Sequence, residues 1–122
     1  MASRKKILII DDAMPFLYIL NHILGSEFEV IYANNGEEGL KTAKAVIPDL
    51  ILSDLLMPGI SGYDVLKALK ADEEMKHIPF VLITGSDAEE DKAKGYELGA
   101  SGYITKPFKK DVVKSTIDGI FN

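Results

Sequence analysis

Five short apolar runs separated by five stretches of helical periodicity constrain this chain more than any other feature. The runs occupy residues 7–10, 28–33, 50–52, 80–83 and 101–105. Each is short enough for a strand and is bounded by residues that stop one. Asp11-Asp12 follow the first run, Asn34-Asn35-Gly36 the second, Ser53-Asp54 the third, Thr84-Gly85-Ser86 the fourth and Lys106-Pro107 the fifth. Helices are expected over 14–24, 37–46, 63–70, from an N-cap at Asp87 to about residue 98, and over 109–120. At 100° per residue, Phe16, Leu17, Leu20, Ile23 and Leu24 share one face of the first helix, and Met14, Tyr18, Asn21 and His22 the other. Leu40, Ala43, Ala45 and Val46 are read as the inner face of the second. Gly99 is the natural residue to end the fourth. Strands that alternate with helices, with no linker between them, make parallel βαβ units, so the fold class is α/β with a doubly wound five-stranded parallel sheet.

The third run carries the most local information. Leu50 to Leu52 suits a strand buried on both faces, and a single carboxylate, Asp54, closes it. Pro58 has no N–H and fixes its own φ, so the strand cannot continue through it. Gly59 and Gly62 then permit a tight loop before helical periodicity begins at Tyr63. One acid is thereby held at the carboxyl end of a buried strand, the edge at which open α/β sheets bind ligands. Taken alone, such a residue also reads as a solvated turn aspartate.

Composition narrows the function classes. A length of 122 residues suits a single domain spanning 1–122. The formal net charge of −5 disfavours general affinity for nucleic acid or an anionic membrane. The absence of cysteine removes disulfides, thiol catalysis and thiolate metal sites. His22 and His77 are far apart and read as surface residues. The apolar stretches are too short to span a bilayer, and residues 1–6 lead into only a brief apolar run, not the core of a secretory signal. A cytoplasmic location is expected.

The odd residues all fall at strand ends. In the flavodoxin-like order 2-1-3-4-5, strands one and three are neighbours and the chain reverses between them. Asp11, Asp12 and Asp54 would then share one crevice, with Thr84 beside them and Lys106 one strand further on. Carboxylates a few ångströms apart repel by roughly 4 kcal/mol per pair at an effective dielectric of 20. Such a cluster must take up a proton, a lysine or a cation. Oxygen ligands without His or Cys favour Mg²⁺, which commonly keeps waters and accepts a phosphoryl oxygen. Lys106 adds a positive charge and Thr84 a hydroxyl. The group suits a phosphoryl moiety, with a carboxylate near enough to act as nucleophile.

Asp11-Asp12, Asp54 with Met57-Pro58-Gly59, Thr84-Gly85, and the run from Gly99 through Gly102-Tyr103-Ile104-Thr105-Lys106-Pro107 to Phe108 stand in register with the five strands. In these the chain resembles, over essentially its whole length, the receiver domain of two-component response regulators in its single-domain, CheY-like form. The resemblance implies that Asp54 accepts a phosphoryl group from a histidine of a sensor kinase or phosphotransfer protein. It implies Mg²⁺ ligated directly by Asp12 and through water by Asp11, with Asp54 and the Leu56 carbonyl completing the protein ligands. Lys106 would pair with the phosphoryl oxygens, Thr84 would move to bond them, and Tyr103 would change rotamer behind it. A cis Lys106–Pro107 bond and an output surface on the fourth helix, fifth strand and fifth helix are also implied. From the residues alone, Thr84 can also cap a helix, alone or alongside the switch role, and Tyr103 can as well be an ordinary strand aromatic.

Two other readings have their own requirements. A Mg²⁺-dependent phosphohydrolase with an aspartate nucleophile, of the haloacid-dehalogenase type, needs a second Asp two residues on, where Leu56 stands. A nucleotide or flavin binder needs a phosphate loop after strand one, where two acids stand instead. The leading expectation is a phospho-switch that turns over no outside substrate.

Overall fold

Strand pairing places the carboxyl ends of all five strands along one edge of a single sheet. The structure, a computed structural model, describes residues 4–85 and 89–122. Its strands are β1 (Lys6–Ile10), β2 (Glu29–Ala33), β3 (Leu50–Asp54), β4 (Phe80–Thr84) and β5 (Gly102–Thr105). The helices are α1 (Met14–Leu24), α2 (Gly36–Val46), α3 (Gly62–Lys70), α4 (Glu89–Glu97) and α5 (Lys110–Phe121). The sheet order is β2-β1-β3-β4-β5 with every pair parallel, as the alternation of elements implies. Register aligns Ile10 with Ser53, Asp54 with Ile83 and Thr84 with Thr105, so the strands end at one level.

Apolar character tracks position in the sheet. Every residue of β3 and β4 is buried, as is all of β1 after Lys6. Such strands carry side chains on both faces against helices, which is why they read as unbroken apolar runs. β2 lies at an edge and buries only Ala33 fully. Two cores result. Ile7, Ile9, Leu50, Leu52, Val81 and Ile83 pack against Leu17, Leu20, Ile23 and Leu24 of α1 and Val113 and Ile117 of α5. Leu8, Ile10, Ile51, Phe80 and Leu82 face Ala43 of α2 and Val65, Leu66 and Leu69 of α3.

Local chemistry sets the helix ends. Pro15 lies in the first turn of α1, where a missing N–H costs nothing. Asn35 caps α2 by accepting the Glu38 N–H at 2.8 Å. Ser61 and Asp64 form a reciprocal capping box on α3. Gly99 ends α4 at φ 108°, as the sequence suggests. One expectation is corrected: Ala45 is exposed, and the inner face of α2 is Gly36, Gly39 and Ala43, with Leu40 half-buried. Ala45 is 200° around the helix from Ala43, so both cannot face the sheet. Ser86 and the proposed Asp87 cap lie outside the described residues.

Candidate functional site

The turn after β1 delivers the first acid. Asp11 is fully buried, and its Oδ1 accepts the Ala13 N–H at 2.9 Å, which fixes the entry into α1. Its Oδ2 is buried with no hydrogen-bond donor among the described residues, and its nearest counter-charge is the Lys106 ammonium at 3.2 Å. Asp12, next in the chain, is exposed. Asp54, only 7% exposed, ends β3 beside it. Its Oδ1 accepts the Leu55 N–H at 3.0 Å and lies 3.5 Å from Lys106 Nζ. Carboxylate oxygens of Asp11, Asp12 and Asp54 lie within 4.8 Å of one another. The crevice deduced from strand order therefore exists.

Lys106 enters from the end of β5. Its N–H donates to the Thr84 carbonyl at 2.8 Å, and the bond to Pro107 is cis, as the resemblance implied. The stem is mostly buried, so the ammonium is aimed into the acid pair. Thr84 is buried at the end of β4. The Tyr103 hydroxyl is also shut from solvent, with the Thr84 side chain in polar reach, and that tyrosine hydroxyl meets no partner at full hydrogen-bond geometry among the described residues. Burial chiefly drives that hydroxyl's pKa up to about 12. Leu56 is 75% exposed, so nothing in the core explains its side chain.

Sequence reasoning missed the group that surrounds the lysine. Phe16, read as an ordinary core residue of α1, is only half-buried, and Lys106 Nζ lies 3.8 Å from its ring centroid. Phe108 meets that ring edge-on, with centroids 5.5 Å apart. The available signal was position, since Phe16 is in the first turn after the acid pair and Phe108 is two residues past the lysine.

Asp54 carries the electrostatic cost of the arrangement. Burial first, and the neighbouring Asp11 second, raise its pKa from 3.8 to about 6, against the pull of Lys106 and the Leu55 N–H. The folded chain thus holds this proton more tightly than the unfolded chain does. The resulting stabilisation is complete below the unfolded value and lost as pH rises through about 6. In metal-free buffer, wild type should lose about 1–2 kcal/mol relative to Asp54→Asn between pH 4 and 7, after allowance for solvent screening. Urea melts of both chains across that range measure it, and parallel pH profiles would contradict it.

Residues 7–118 match the response regulator receiver domain family. Protein PilH of Pseudomonas aeruginosa is 35% identical over 116 residues, covering 94% of this chain and 96% of PilH. The alkaline phosphatase synthesis transcriptional regulatory protein PhoP of Bacillus subtilis is 40% identical over 117 residues. That match takes in 95% of this chain but 48% of PhoP, so the chain spans about half of that relative. The chemotaxis protein CheY4 of Vibrio cholerae superposes with a TM-score of 0.91 at 29% identity, over 97% of this chain and 99% of CheY4. A parallel sheet in this order, an acid cluster at its carboxyl edge and these likenesses converge: the chain belongs to the response regulator receiver domains, the phospho-accepting signalling switches of two-component systems.

Proposed function

We propose that Asp54 is the residue that takes the phosphoryl group. One observation carries this reading: three carboxylates lie within 4.8 Å at the strand ends, and of the two buried ones Asp54 is the one that closes a strand, with Lys106 3.5 Å away. A carboxylate oxygen of Asp54 attacks phosphorus. The bond from phosphorus to the donor's imidazole nitrogen breaks, and that nitrogen leaves with the electron pair and takes up a proton. Lys106 neutralises charge on the phosphoryl oxygens, and Thr84 offers a hydroxyl to them.

Receiver domains generally bind Mg²⁺, and these residues fit it. The donors are all oxygen, and the buried Asp11 Oδ2 has no hydrogen-bond donor among the described residues. Asp12 would hold the ion directly and Asp11 through water, with Asp54 and the Leu56 carbonyl. When bound, the ion neutralises phosphoryl charge and lowers the repulsion among the acids.

The test is intact mass after incubation with acetyl phosphate and Mg²⁺. A gain of about 80 Da, the elements of one covalent phosphoryl group, is expected, and chelation should abolish it. A chain that stays unlabelled with small phosphodonors would overturn the reading. No carboxylate stands two residues past Asp54 to serve an outside substrate, and the exposed Leu56 there has no group to orient water. The proposal is therefore a switch and not a phosphohydrolase. Leu56→Glu or Leu56→Asn should speed loss of the phosphoryl group several-fold, and decay rates that stay flat would exclude this position as the control on lifetime.

Receiver domains engage histidine kinases and output proteins. In this chain, the donor's carrier is proposed to dock at the start of α1, where Met14 is 55% and Tyr18 71% exposed at the rim of the site. Output is proposed to run through α4, β5 and α5, since Tyr103 joins that face to Thr84. Met14→Ala with Tyr18→Ala should slow transfer from a protein donor about tenfold and leave labelling by acetyl phosphate unchanged. Tyr103→Ala should instead impair output binding. Equal loss of protein-donor transfer in both would refute separate faces. No helix among the described residues is long and apolar enough to cross a membrane, and a cytoplasmic place, without direct contact to nucleic acid, completes the proposal.

A further inference from the structure

The Lys106 ammonium has three sides to satisfy. Two face Asp11 Oδ2 at 3.2 Å and Asp54 Oδ1 at 3.5 Å, both longer than a tight charge-assisted bond. The Phe16 ring is the third neighbour, 3.8 Å from Nζ to the centroid. An aromatic face attracts a cation through its quadrupole, and more strongly where water is scarce. With the lysine side chain 13% exposed, water is scarce here. The Phe16 ring is in turn braced by Phe108 at an interplanar angle of 83°, from the same turn that supplies the lysine. The core does not depend on Phe16, because α1 already buries Leu17, Leu20, Ile23 and Leu24.

We propose that Phe16 is a positioning residue of the phosphoryl site, its ring holding the Lys106 ammonium toward Asp11 and Asp54. This rests on the phosphoryl-accepting reading above. A lysine stem has many rotamers, and two carboxylates at 3.2 and 3.5 Å alone would let the ammonium swing between them. The ring adds attraction from a third direction without adding a hydrogen-bond acceptor. An arriving phosphoryl oxygen therefore meets an ammonium already in place, with no water to shed on the ring side.

The experiment replaces Phe16 site-specifically with mono-, di- and trifluorinated phenylalanine, which keeps the apolar shape and progressively weakens the negative ring face. Labelling by acetyl phosphate with Mg²⁺ is followed by intact mass. The logarithm of the rate should fall in step with the number of fluorines, reaching about one-tenth with three. Thermal midpoints should fall across the same series with Lys106 present and stay level in Lys106→Met. Labelling that proceeds at one rate across the series would overturn the role of Phe16 while leaving Asp54 as acceptor. Midpoints that fall equally in Lys106→Met would reduce Phe16 to packing. Absence of labelling in the unmodified chain would overturn the phosphoryl reading itself.

Discussion

Asp54→Asn should take up no phosphoryl group from acetyl phosphate and, in metal-free buffer, should melt above wild type. An amide lacks the anionic oxygen that attacks phosphorus, so labelling should fall by on the order of 10³-fold or more. The same change removes one of three crowded carboxylates while retaining the shape and an oxygen that can accept the Leu55 N–H, as Oδ1 now does at 3.0 Å. Burial and Asp11 already raise this carboxyl's pKa to about 6, so its ionised form is a burden on the fold at neutral pH. Relief of about 1 kcal/mol corresponds to a melting rise of about 4 °C for a chain of this size. The opposite signs matter, because a merely structural aspartate would lose stability when replaced. Labelling of Asp54→Asn at the wild-type rate would remove Asp54 from its proposed role. A lower melting point would show that its charge is satisfied in the folded chain.

Gly62→Ala should destabilise more than any exposed substitution. A Cβ there would lie 2.4 Å from the Asp54 carbonyl oxygen and 3.0 Å from Leu55 Cα, with Leu82 Cδ2 at 3.1 Å. Two of these atoms are backbone of the segment that carries Asp54, so no rotamer can move them aside. The chain is also tied at this point, since the Gly62 N–H donates to the Leu55 carbonyl at 2.8 Å. Accommodating a methyl group must push α3 off the end of β3, at a cost of about 3 kcal/mol, or a melting decrease of about 10 °C. Gly119→Ala is the matched control. Nothing lies within 4 Å of a Cβ at that exposed α5 position, and alanine should stabilise the helix by up to about 1 kcal/mol. Similar melting points for Gly62→Ala and wild type would mean that the contact yields easily.

The difference between these glycines marks where sequence reasoning stops. Gly62 reads as loop freedom before a helix, and its actual constraint is the close approach of the Asp54 carbonyl at the end of the preceding strand, which no sequence pattern announces. The strands were legible because β1, β3 and β4 are buried on both faces and each carries at least three consecutive apolar residues before a polar one. Asp11, Asp12, Asp54, Thr84 and Lys106 were legible for the same reason, since each breaks the pattern at the same end of its strand. Phe16 was not, because an aromatic residue on the apolar face of a helix has the same signature whether it packs against a core or against an ammonium. Ala45 failed through its neutrality, as alanine is at home on either face of a helix. For Tyr103 the residues alone allowed an ordinary strand aromatic and only the resemblance implied a switch; what no pattern could show is that its hydroxyl is buried beside Thr84.

Helix α4 is fastened differently from its neighbours. α3 buries Val65, Leu66 and Leu69, whereas among the described residues α4 buries only Gly95. A glycine brings almost no apolar area to an interface. What holds α4 instead includes the Tyr63 hydroxyl donating to the Asp91 carbonyl at 2.9 Å, and two ammonium–ring pairs, Lys94 over Tyr63 and Lys92 over Tyr103. Long flexible stems on rings have no interlocking registry, so these pairs can persist while the helix slides or tilts. Backbone amides of α4 should consequently exchange with deuterium through small local openings, far more readily than those of α3, which open only when a packed core does. Among the described residues, the helix that buries the least apolar surface thus lies against Tyr103, the tyrosine beside Thr84.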